Sequence, residues 1–389
     1  MATIENYFDY AATTPVHPRA AAAMQRYFQS DFGNPSSAHA FGQVAFHAVQ
    51  ASRDSLLTHF NAPAGSEIVF TGSSTEAANL VIWSRAIDFY RRTGRPGLIL
   101  ISATEHAAVR NTVSQLEAYG FCRMKVIPVD ADAVLRMDIF EASLAEGPAL
   151  VSFIGANNEL GTVQPLREVV RMCQAAGVPY HCDATQLVAH SLLDLTECPI
   201  DYLTFSGHKC YAPKGIGALI ARDPSSLRAH IFGAGQERGL RAGTENVPYI
   251  VAIAEAYRLL KETCQERART ETGLRDRLIG RVLDEVPDVR LTGDPVTRLS
   301  NHASFSFKDI DSLMLQSALD QEGYAVSIGS ACRSNQVRGQ QQLVEIGLPP
   351  DWLSGGLRIT NGLYSTPESV DGLVDALKEA VSKIRGFLS

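Results

Sequence analysis

The feature that most constrains the fold is a regular alternation of short apolar runs with amphipathic helical patterns. Helical patterns occupy most of the gaps between the runs, for example at 75–90, 107–119 and 165–176. Strands that alternate with helices pair in parallel and are covered on both faces, so the pattern predicts an α/β fold with a mostly parallel seven-stranded sheet between helices. The seven β-like runs are 67–70, 97–102, 125–129, 149–155, 178–183, 201–206 and 215–221.

The alternation of short apolar runs and helical patterns stops after Asn246, where a long charged helix is predicted through about Thr272. A second α/β segment follows, with a β-like run at 303–307 and a final helix at 367–387. A chain of 389 residues is long enough for two domains. We therefore expect a large domain at 15–258 and a smaller α/β C-terminal domain formed by 1–14 and 259–389.

The overall composition argues against nucleic-acid and membrane partners. The formal net charge is −7 and the pI is about 5.8, and no apolar run approaches the roughly 20 residues that cross a bilayer. The first residues lack the basic and apolar regions of a secretory signal, so we expect a cytoplasmic protein. The seven cysteines have no paired CxxC spacing, which is typical of reduced thiols and predicts no metal site.

Lys209 is the most informative residue for function. It ends the sequence Ser206-Gly207-His208-Lys209 and follows an apolar run, which places an amine at the end of a strand, where an aldehyde cofactor can form a Schiff base. Asp183 ends another apolar run, and Gln186 follows it. A carboxylate there could keep a pyridine nitrogen protonated, so the pair indicates pyridoxal 5'-phosphate (PLP) as an electron sink.

Three further polar turns have both an ordinary interpretation and a functional one. Ser74 and Thr75 begin a helix, either as plain capping residues or as a phosphate site. His106 is either a solvated helix start or an imidazole stacked on a flat ring, and Asn158 is either part of a polar turn or a ligand of the cofactor's phenolic oxygen. Each follows a predicted strand, where ligands of parallel sheets bind, which favours one shared site.

Taken together, these motifs resemble the cysteine desulfurases, specifically the group with a long cysteine loop, within the class V aminotransferase family of fold-type-I PLP enzymes. The resemblance extends nearly end to end and implies a PLP fold type I protein. The matching motifs lie at 7–15, 33–37, 104–106, 157–161, 181–186, 206–209, 213–215, 236–246, 329–332 and 357–359.

The resemblance implies a role for each candidate residue. Lys209 would hold PLP and later move the Cα proton, His106 would stack on the ring and take part in catalysis, and Cys332 would be the nucleophile. Arg358, with Asn158, would bind the substrate carboxylate. The remaining cofactor contacts would be Asp183 to the pyridine nitrogen, Gln186 and Asn158 near the phenolic oxygen, Ser74, Thr75, Ser206 and His208 to the phosphate, and Thr244 to the phosphate of a neighbouring subunit.

The implied activity is the conversion of L-cysteine to L-alanine, with the sulfur kept as a persulfide on Cys332 for a sulfur-acceptor protein, in a homodimer with shared active sites. The alternatives are a selenocysteine lyase or a cysteine desulfhydrase of the same fold, an aminotransferase, and an inactive scaffold in a sulfur-transfer assembly. The sequence leaves the destination of the sulfur open among iron–sulfur cluster assembly, tRNA thiolation, DNA modification and a specialised metabolite.

The sequence also departs from the family pattern. Arg333 follows the nucleophile where serine or threonine is common, in a cysteine loop expected at about 326–344. This arginine either lowers the pKa of Cys332 or belongs to a solvated loop. The phosphate turn reads Thr-Gly-Ser-Ser at 71–74, and Thr-Asn-Gly-Leu at 360–363 replaces the usual Ser-Leu-Gly-Arg.

Overall fold

The protein is described by a computed structural model that covers residues 3–328 and 341–388. Its centre is a seven-stranded sheet in the order β1-β7-β6-β5-β4-β2-β3, in which β7 runs antiparallel to both neighbours and the other pairs are parallel. This confirms the predicted mostly parallel sheet. The strands are β1 (Glu67–Thr71), β2 (Gly97–Ser102), β3 (Cys122–Ile127), β4 (Leu150–Ile154), β5 (Tyr180–Asp183), β6 (Tyr202–Ser206) and β7 (Gly217–Ala221).

Helices pack on both faces of this sheet, so the central strands are buried along their whole length. One core lies between the sheet and α2, α6 and α8, and a second lies between the sheet and α3 and α4. The helices are α1 (Pro18–Gln25), α2 (Ala40–His59), α3 (Ser74–Thr93), α4 (Ala107–Ala118), α5 (Met137–Leu144), α6 (Leu166–Ala176), α7 (Leu187–His190) and α8 (Val247–Glu285).

Polar residues start the helices that follow the strands, and this places them at one edge of the sheet. Ser73 caps α3, since its hydroxyl accepts a hydrogen bond from the Glu76 N–H at 3.2 Å. His106 caps α4, since its Nδ1 accepts from the Ala108 N–H at 3.1 Å. Gly94 ends α3 in the left-handed conformation, with φ 70°. The carboxyl edge of the sheet is therefore lined by side chains that can contact a ligand.

A second, smaller sheet lies in the C-terminal half of the chain. Its antiparallel strands β8 (Val289–Leu291), β9 (His302–Phe307) and β10 (Gly356–Thr360) are ordered β10-β9-β8 and share a separate core with helices. The helices of this part are α9 (Ser312–Gln321), α10 (Gln341–Glu345), α11 (Pro350–Leu353) and α12 (Pro367–Leu388).

Several element boundaries differ from the sequence prediction by one to three residues, and the end of α8 differs by more. Helix α8 continues past the predicted end near Thr272, because Leu274, Leu278 and Val282 bury one side of it in the smaller core. Strand β3 begins at Cys122 rather than at residue 125. Since α8 contributes to both cores, the domain boundary at 258/259 stays a prediction.

In residues 3–328 and 341–388, no helix combines the length and apolar character that crossing a membrane needs. In the same ranges, no group of three or more His, Cys, Asp or Glu side chains could hold a metal ion. The six cysteines there are all free thiols, and every one except Cys264 is buried.

Candidate active site

The Lys209 side chain lies at the carboxyl edge of the large sheet. A 3-10 turn, Gly207–Lys209, directly follows β6, and the lysine Nζ donates to the backbone carbonyls of Ala11 and Ala12, each at 2.6 Å. Burial, reinforced by the Arg358 guanidinium, lowers the pKa of Lys209 to about 8. A substantial fraction of the amine is therefore unprotonated near neutral pH, as a nucleophile or a base requires.

Asp183 and Gln186 lie beside this amine, at the end of the neighbouring strand β5. The Asp183 carboxylate is 5% exposed, and its Oδ1 accepts from the Thr185 N–H at 3.1 Å and from the Thr185 hydroxyl at 2.6 Å. The Gln186 amide donates to the same Ala11 carbonyl as Lys209, at 2.8 Å. The sequence prediction that these three side chains meet is consistent with this geometry.

The smaller sheet contributes Arg358 to the same space. Its Nη2 donates to Oδ1 of Asp9 at 2.7 Å, and its Nη1 donates to the backbone carbonyl of Asn158 at 2.8 Å. Within the described residues, two buried atoms of this group have no hydrogen-bond partner: Nε of Arg358 and Oδ1 of Asn158. Buried polar atoms are rarely left unpaired in proteins, so these two mark where a polar ligand fits.

The residues predicted to bind phosphate converge near the start of α3. Ser206 at the end of β6 is paired with Gly217 of β7. A Cβ atom on Gly217 would lie 2.6 Å from the Ser74 backbone nitrogen, so Ser74 and Ser206 are close neighbours, with Thr75 following in the first turn of the helix. Backbone N–H groups at such a helix start favour an anion.

His208 faces a second hydroxyl on the same side of the site. Its Nδ1 lies 3.2 Å from Oγ1 of Thr13. Burial, with the neighbouring Lys209 amine, lowers the pKa of His208 to about 4, so the ring is neutral at physiological pH. A neutral imidazole can donate one hydrogen bond to a phosphate without adding a charge.

His106 and Asn158 occupy adjacent turns. The Asn157 side-chain amide donates to the Thr104 carbonyl at 2.9 Å, which ties the turn before α4 to the turn after β4. The His106 ring is exposed, so it is accessible to a ligand that stacks on it. Both residues therefore lie in turns at the edge that carries Asp183.

Thr244 is exposed in the segment before α8. It lines a cavity of about 240 Å³ together with Thr71, Gly72 and Arg241 of the same chain. Its predicted contact with a neighbouring subunit stays a prediction.

Cys332 and Arg333 lie outside the described residues, so their predicted roles also stay predictions. The described residues before and after this gap lie near Arg358 and its strand β10. Ser327 forms an antiparallel bridge with Arg358, and Leu343 packs near Gly356. Residues 341–344, which were predicted to belong to the cysteine loop, begin helix α10 instead.

Three residues of the site were missed by the sequence analysis. Asp9 pairs with Arg358, and His302 contacts the Asn158 carbonyl. Glu105 was included only in the matching motif 104–106, with no role of its own, but it is buried and its Oε1 accepts from the Ile154 N–H at 2.6 Å. Burial raises the pKa of Glu105 well above its ordinary value, and the charge of Asp183 acts in the same direction.

Comparisons with known proteins agree with this fold and show the family of the chain. The Aminotransferase class-V family matches residues 6–373. The chain is 38% identical over 384 residues to cysteine desulfurase IscS of Salmonella arizonae, covering 97% of this chain and 93% of the relative. It is 39% identical over 385 residues to cysteine desulfurase IscS of Klebsiella pneumoniae, with the same coverage.

Solved structures give the same result. A NifS-like protein superimposes with a TM-score of 0.89 at 32% identity, covering 98% of this chain and 100% of the other. SspA in complex with cysteine superimposes with a TM-score of 0.80 at 30% identity, covering 93% of this chain and 100% of the other.

The fold and the site define a fold-type-I PLP-dependent enzyme: a half-buried amine at a strand end, a buried carboxylate on the neighbouring strand and the unpartnered polar atoms of Arg358 and Asn158 fit this cofactor. Within that class, the chain belongs to the cysteine desulfurases of the aminotransferase class-V family.

Proposed function

We propose that this chain is a PLP-dependent cysteine desulfurase that converts L-cysteine to L-alanine and keeps the sulfur as a persulfide on Cys332. The observation that carries the proposal is that Lys209 and Arg358 both bond to the short segment 9–12. The lysine Nζ donates to the Ala11 and Ala12 carbonyls, and Nη2 of Arg358 donates to the Asp9 carboxylate. A substrate that presents a carboxylate to Arg358 and an amino group towards Lys209 is an α-amino acid. The relatives named above indicate cysteine as that amino acid.

The residues that would hold PLP are those at the carboxyl edge of the large sheet. Lys209 would bind it covalently, Asp183 would pair with its ring nitrogen, and His106 would stack on the ring. When bound, PLP supplies an electron sink that weakens the bonds at the substrate's α and β carbons. The other contacts would be Asn158 and Gln186 to the phenolic oxygen, and Ser74, Thr75, Ser206, His208 and Thr244 to the phosphate.

The chain's own side chains would do the remaining work. Arg358 would orient the substrate through its carboxylate, using the Nε that has no partner among the described residues. With its pKa near 8, Lys209 is suited to take the Cα proton and return it. The Cys332 thiolate would attack the substrate sulfur, so that an S–S bond forms while the Cβ–S bond breaks and Cβ gains a proton.

Two variants test the two halves of this chemistry. In Lys209→Ala the covalent cofactor link should be lost, and borohydride reduction of the wild type should label Lys209 in mass spectrometry. Lys214→Ala, which removes an exposed lysine five residues away, is the matched control and should retain the link. A label on Lys214 would refute the assignment.

Cys332→Ala should still bind PLP but should produce no persulfide and no alanine. Pyruvate, ammonia and free sulfide from the wild type, with no persulfide on Cys332, would instead identify a desulfhydrase. Faster turnover of selenocysteine than of cysteine, independent of Cys332, would identify a selenocysteine lyase.

We further infer a homodimer whose active sites share residues, with the persulfide passed to an acceptor protein. An exposed aromatic pair supports the dimer: the ring centroids of Phe32 and Phe41 are 5.7 Å apart, and the two residues are 66% and 56% exposed. Large apolar side chains grouped on a surface are typical of an interface. Exposed Thr244 is available to reach the neighbouring subunit.

A further inference from the structure

His302 lies directly behind the proposed carboxylate clamp. It begins β9 and is fully buried, and its Nε2 is 3.2 Å from the backbone carbonyl of Asn158. The same carbonyl accepts from Nη1 of Arg358 at 2.8 Å. In the sheet register His302 is opposite Thr360 and Arg358 is opposite Ser304, so the two side chains are diagonal neighbours on one face.

The structure also fixes which ring nitrogen of His302 carries the proton. Burial, together with Arg298 and Arg358, lowers the pKa of His302 well below its ordinary value, so the ring is neutral. A carbonyl only accepts hydrogen bonds, so the proton must be on Nε2. Nδ1 has no partner among the described residues, and a Cβ atom on Gly161 would lie 2.6 Å from it.

The Asn158 carbonyl is therefore held from two sides, by a neutral imidazole and by the clamp itself. Arg298 holds the same turn two residues further on, because its Nη2 donates to the Leu160 carbonyl at 3.0 Å. With Nη1 of Arg358 fixed on Asn158 and Nη2 fixed on Asp9, the orientation of the unpartnered Nε depends on where that carbonyl lies.

We propose that His302 is a positioning residue for substrate recognition: by holding the Asn158 carbonyl, it fixes the orientation in which Arg358 meets the substrate carboxylate. This inference rests on the proposed function, because it assumes that Arg358 binds that carboxylate. His302 would not touch the cofactor or the reacting atoms, so its effect should fall on substrate binding.

Three substitutions of His302 separate positioning from packing. His302→Leu keeps the volume but removes the donor, and it should raise KM for cysteine by about three- to tenfold while kcat changes less than about twofold. His302→Gln can place an N–H where Nε2 was, so it should restore KM to within about twofold of the wild type. His302→Asn is polar but too short to reach the carbonyl, so it should behave like His302→Leu.

A double-mutant cycle with Arg358→Lys gives the deciding readout. If His302 acts through Arg358, His302→Leu should add less than about twofold to KM once Arg358 is already Lys. Equal effects of the Gln and Asn variants, or the full His302→Leu effect in the Arg358→Lys background, would overturn the inference. Should His302→Leu fail to fold, the comparison of the Gln and Asn variants decides alone.

These outcomes are distinct from a failure of the proposed function. A wild-type protein that binds PLP but releases no alanine from cysteine would refute the desulfurase assignment. If the wild type is active and the His302 variants have the same KM as the wild type, only the positioning role is refuted.

Discussion

Replacing Glu271 by glutamine should strongly destabilise the protein, because this carboxylate is the centre of a buried polar cluster. It is 2% exposed and accepts from Arg267 Nε at 2.8 Å and from the Ser300 hydroxyl at 2.6 Å, with His190 Nδ1 at 3.1 Å. Its backbone carbonyl accepts from the Asn361 amide at 3.1 Å. The cluster therefore joins α8 to the loop before β9 and to the residue after β10.

The magnitude follows from the charge of Glu271. Burial alone would raise the pKa of this residue, but Arg267 and His190 outweigh it and hold the pKa at about 2, below the ordinary 4.5. That difference corresponds to about 3 kcal/mol of stability at neutral pH. Removing one member of a buried ion pair typically costs about 3–5 kcal/mol, because the partner stays buried and unpaired. We therefore expect Glu271→Gln to lower the free energy of unfolding by about 3 kcal/mol or more.

Urea titrations followed by tryptophan fluorescence measure this difference. Of the two tryptophans, Trp83 in α3 packs against a core of the large sheet, and Trp352 in α11 lies against the smaller sheet, where the Arg290 guanidinium of β8 is 4.2 Å from its ring centroid. Because the folded pKa of Glu271 is depressed, its contribution is complete above pH 4.5 and is lost as the pH falls towards 2. The difference in the free energy of unfolding between wild type and Glu271→Gln should therefore stay constant from pH 6 to pH 8 and become smaller below about pH 4.5.

Two controls make the reasoning refutable. Glu262→Gln removes a carboxylate of the same helix that is 44% exposed in its ion pairs, and it should change stability by less than about 1 kcal/mol. The double variant Arg267→Met, Glu271→Leu removes both charges and should recover much of the loss. The argument would be refuted if Glu271→Gln lowered the free energy of unfolding no more than Glu262→Gln does. It would also be refuted if the double variant lost as much stability as Arg267→Met and Glu271→Leu lose together when measured singly.

Two further predictions concern the loop after β4 and the dimer. Gly161→Ala should raise KM for cysteine and lower the free energy of unfolding by about 1 kcal/mol or more, because φ is 83° there and the new Cβ would lie 2.6 Å from His302. The control is Gly273→Ala, which adds a Cβ in open space on α8. A Gly161→Ala variant with the KM and melting temperature of the wild type would contradict this prediction. The double variant Phe32→Asp, Phe41→Asp should sediment as a 42.2 kDa monomer, whereas the control Leu313→Asp on α9 should sediment as a dimer. A wild type that sediments as a monomer would refute the proposed homodimer.

The large sheet was predictable because its signal is local. Each strand is a short apolar run closed by polar residues, so Asp183 and Lys209 could be placed at strand ends from the sequence alone. The parallel order then brings those ends to one edge. The same local logic failed for α8, where Gly273 suggests an end but burial of Leu274 in the smaller core continues the helix.

The residues that complete the site were not predictable because their partners are remote in the sequence. His302 meets a carbonyl 144 positions away, and the pattern around it reads only as a buried strand. Glu105 looks like a solvated helix start beside His106, since nothing local shows that the end of β4 covers it. Contacts of this kind depend on how the two sheets are placed, which no short pattern encodes.

The segment 7–14 has a consequence for how the protein is made. Its Ala11 and Ala12 carbonyls accept hydrogen bonds from the Lys209 amine. It also bonds to β10: Arg358 donates to Asp9, and the Ala11 N–H donates to the Thr360 hydroxyl, each across 349 positions. A chain leaving the ribosome can complete the core of the large sheet once α8 has emerged, since domains fold in order of synthesis. The segment 7–14 must nevertheless wait for β10 before Asp9 and Arg358 can pair. The order of the elements along the chain therefore means that the proposed substrate site cannot form until β10 has been translated.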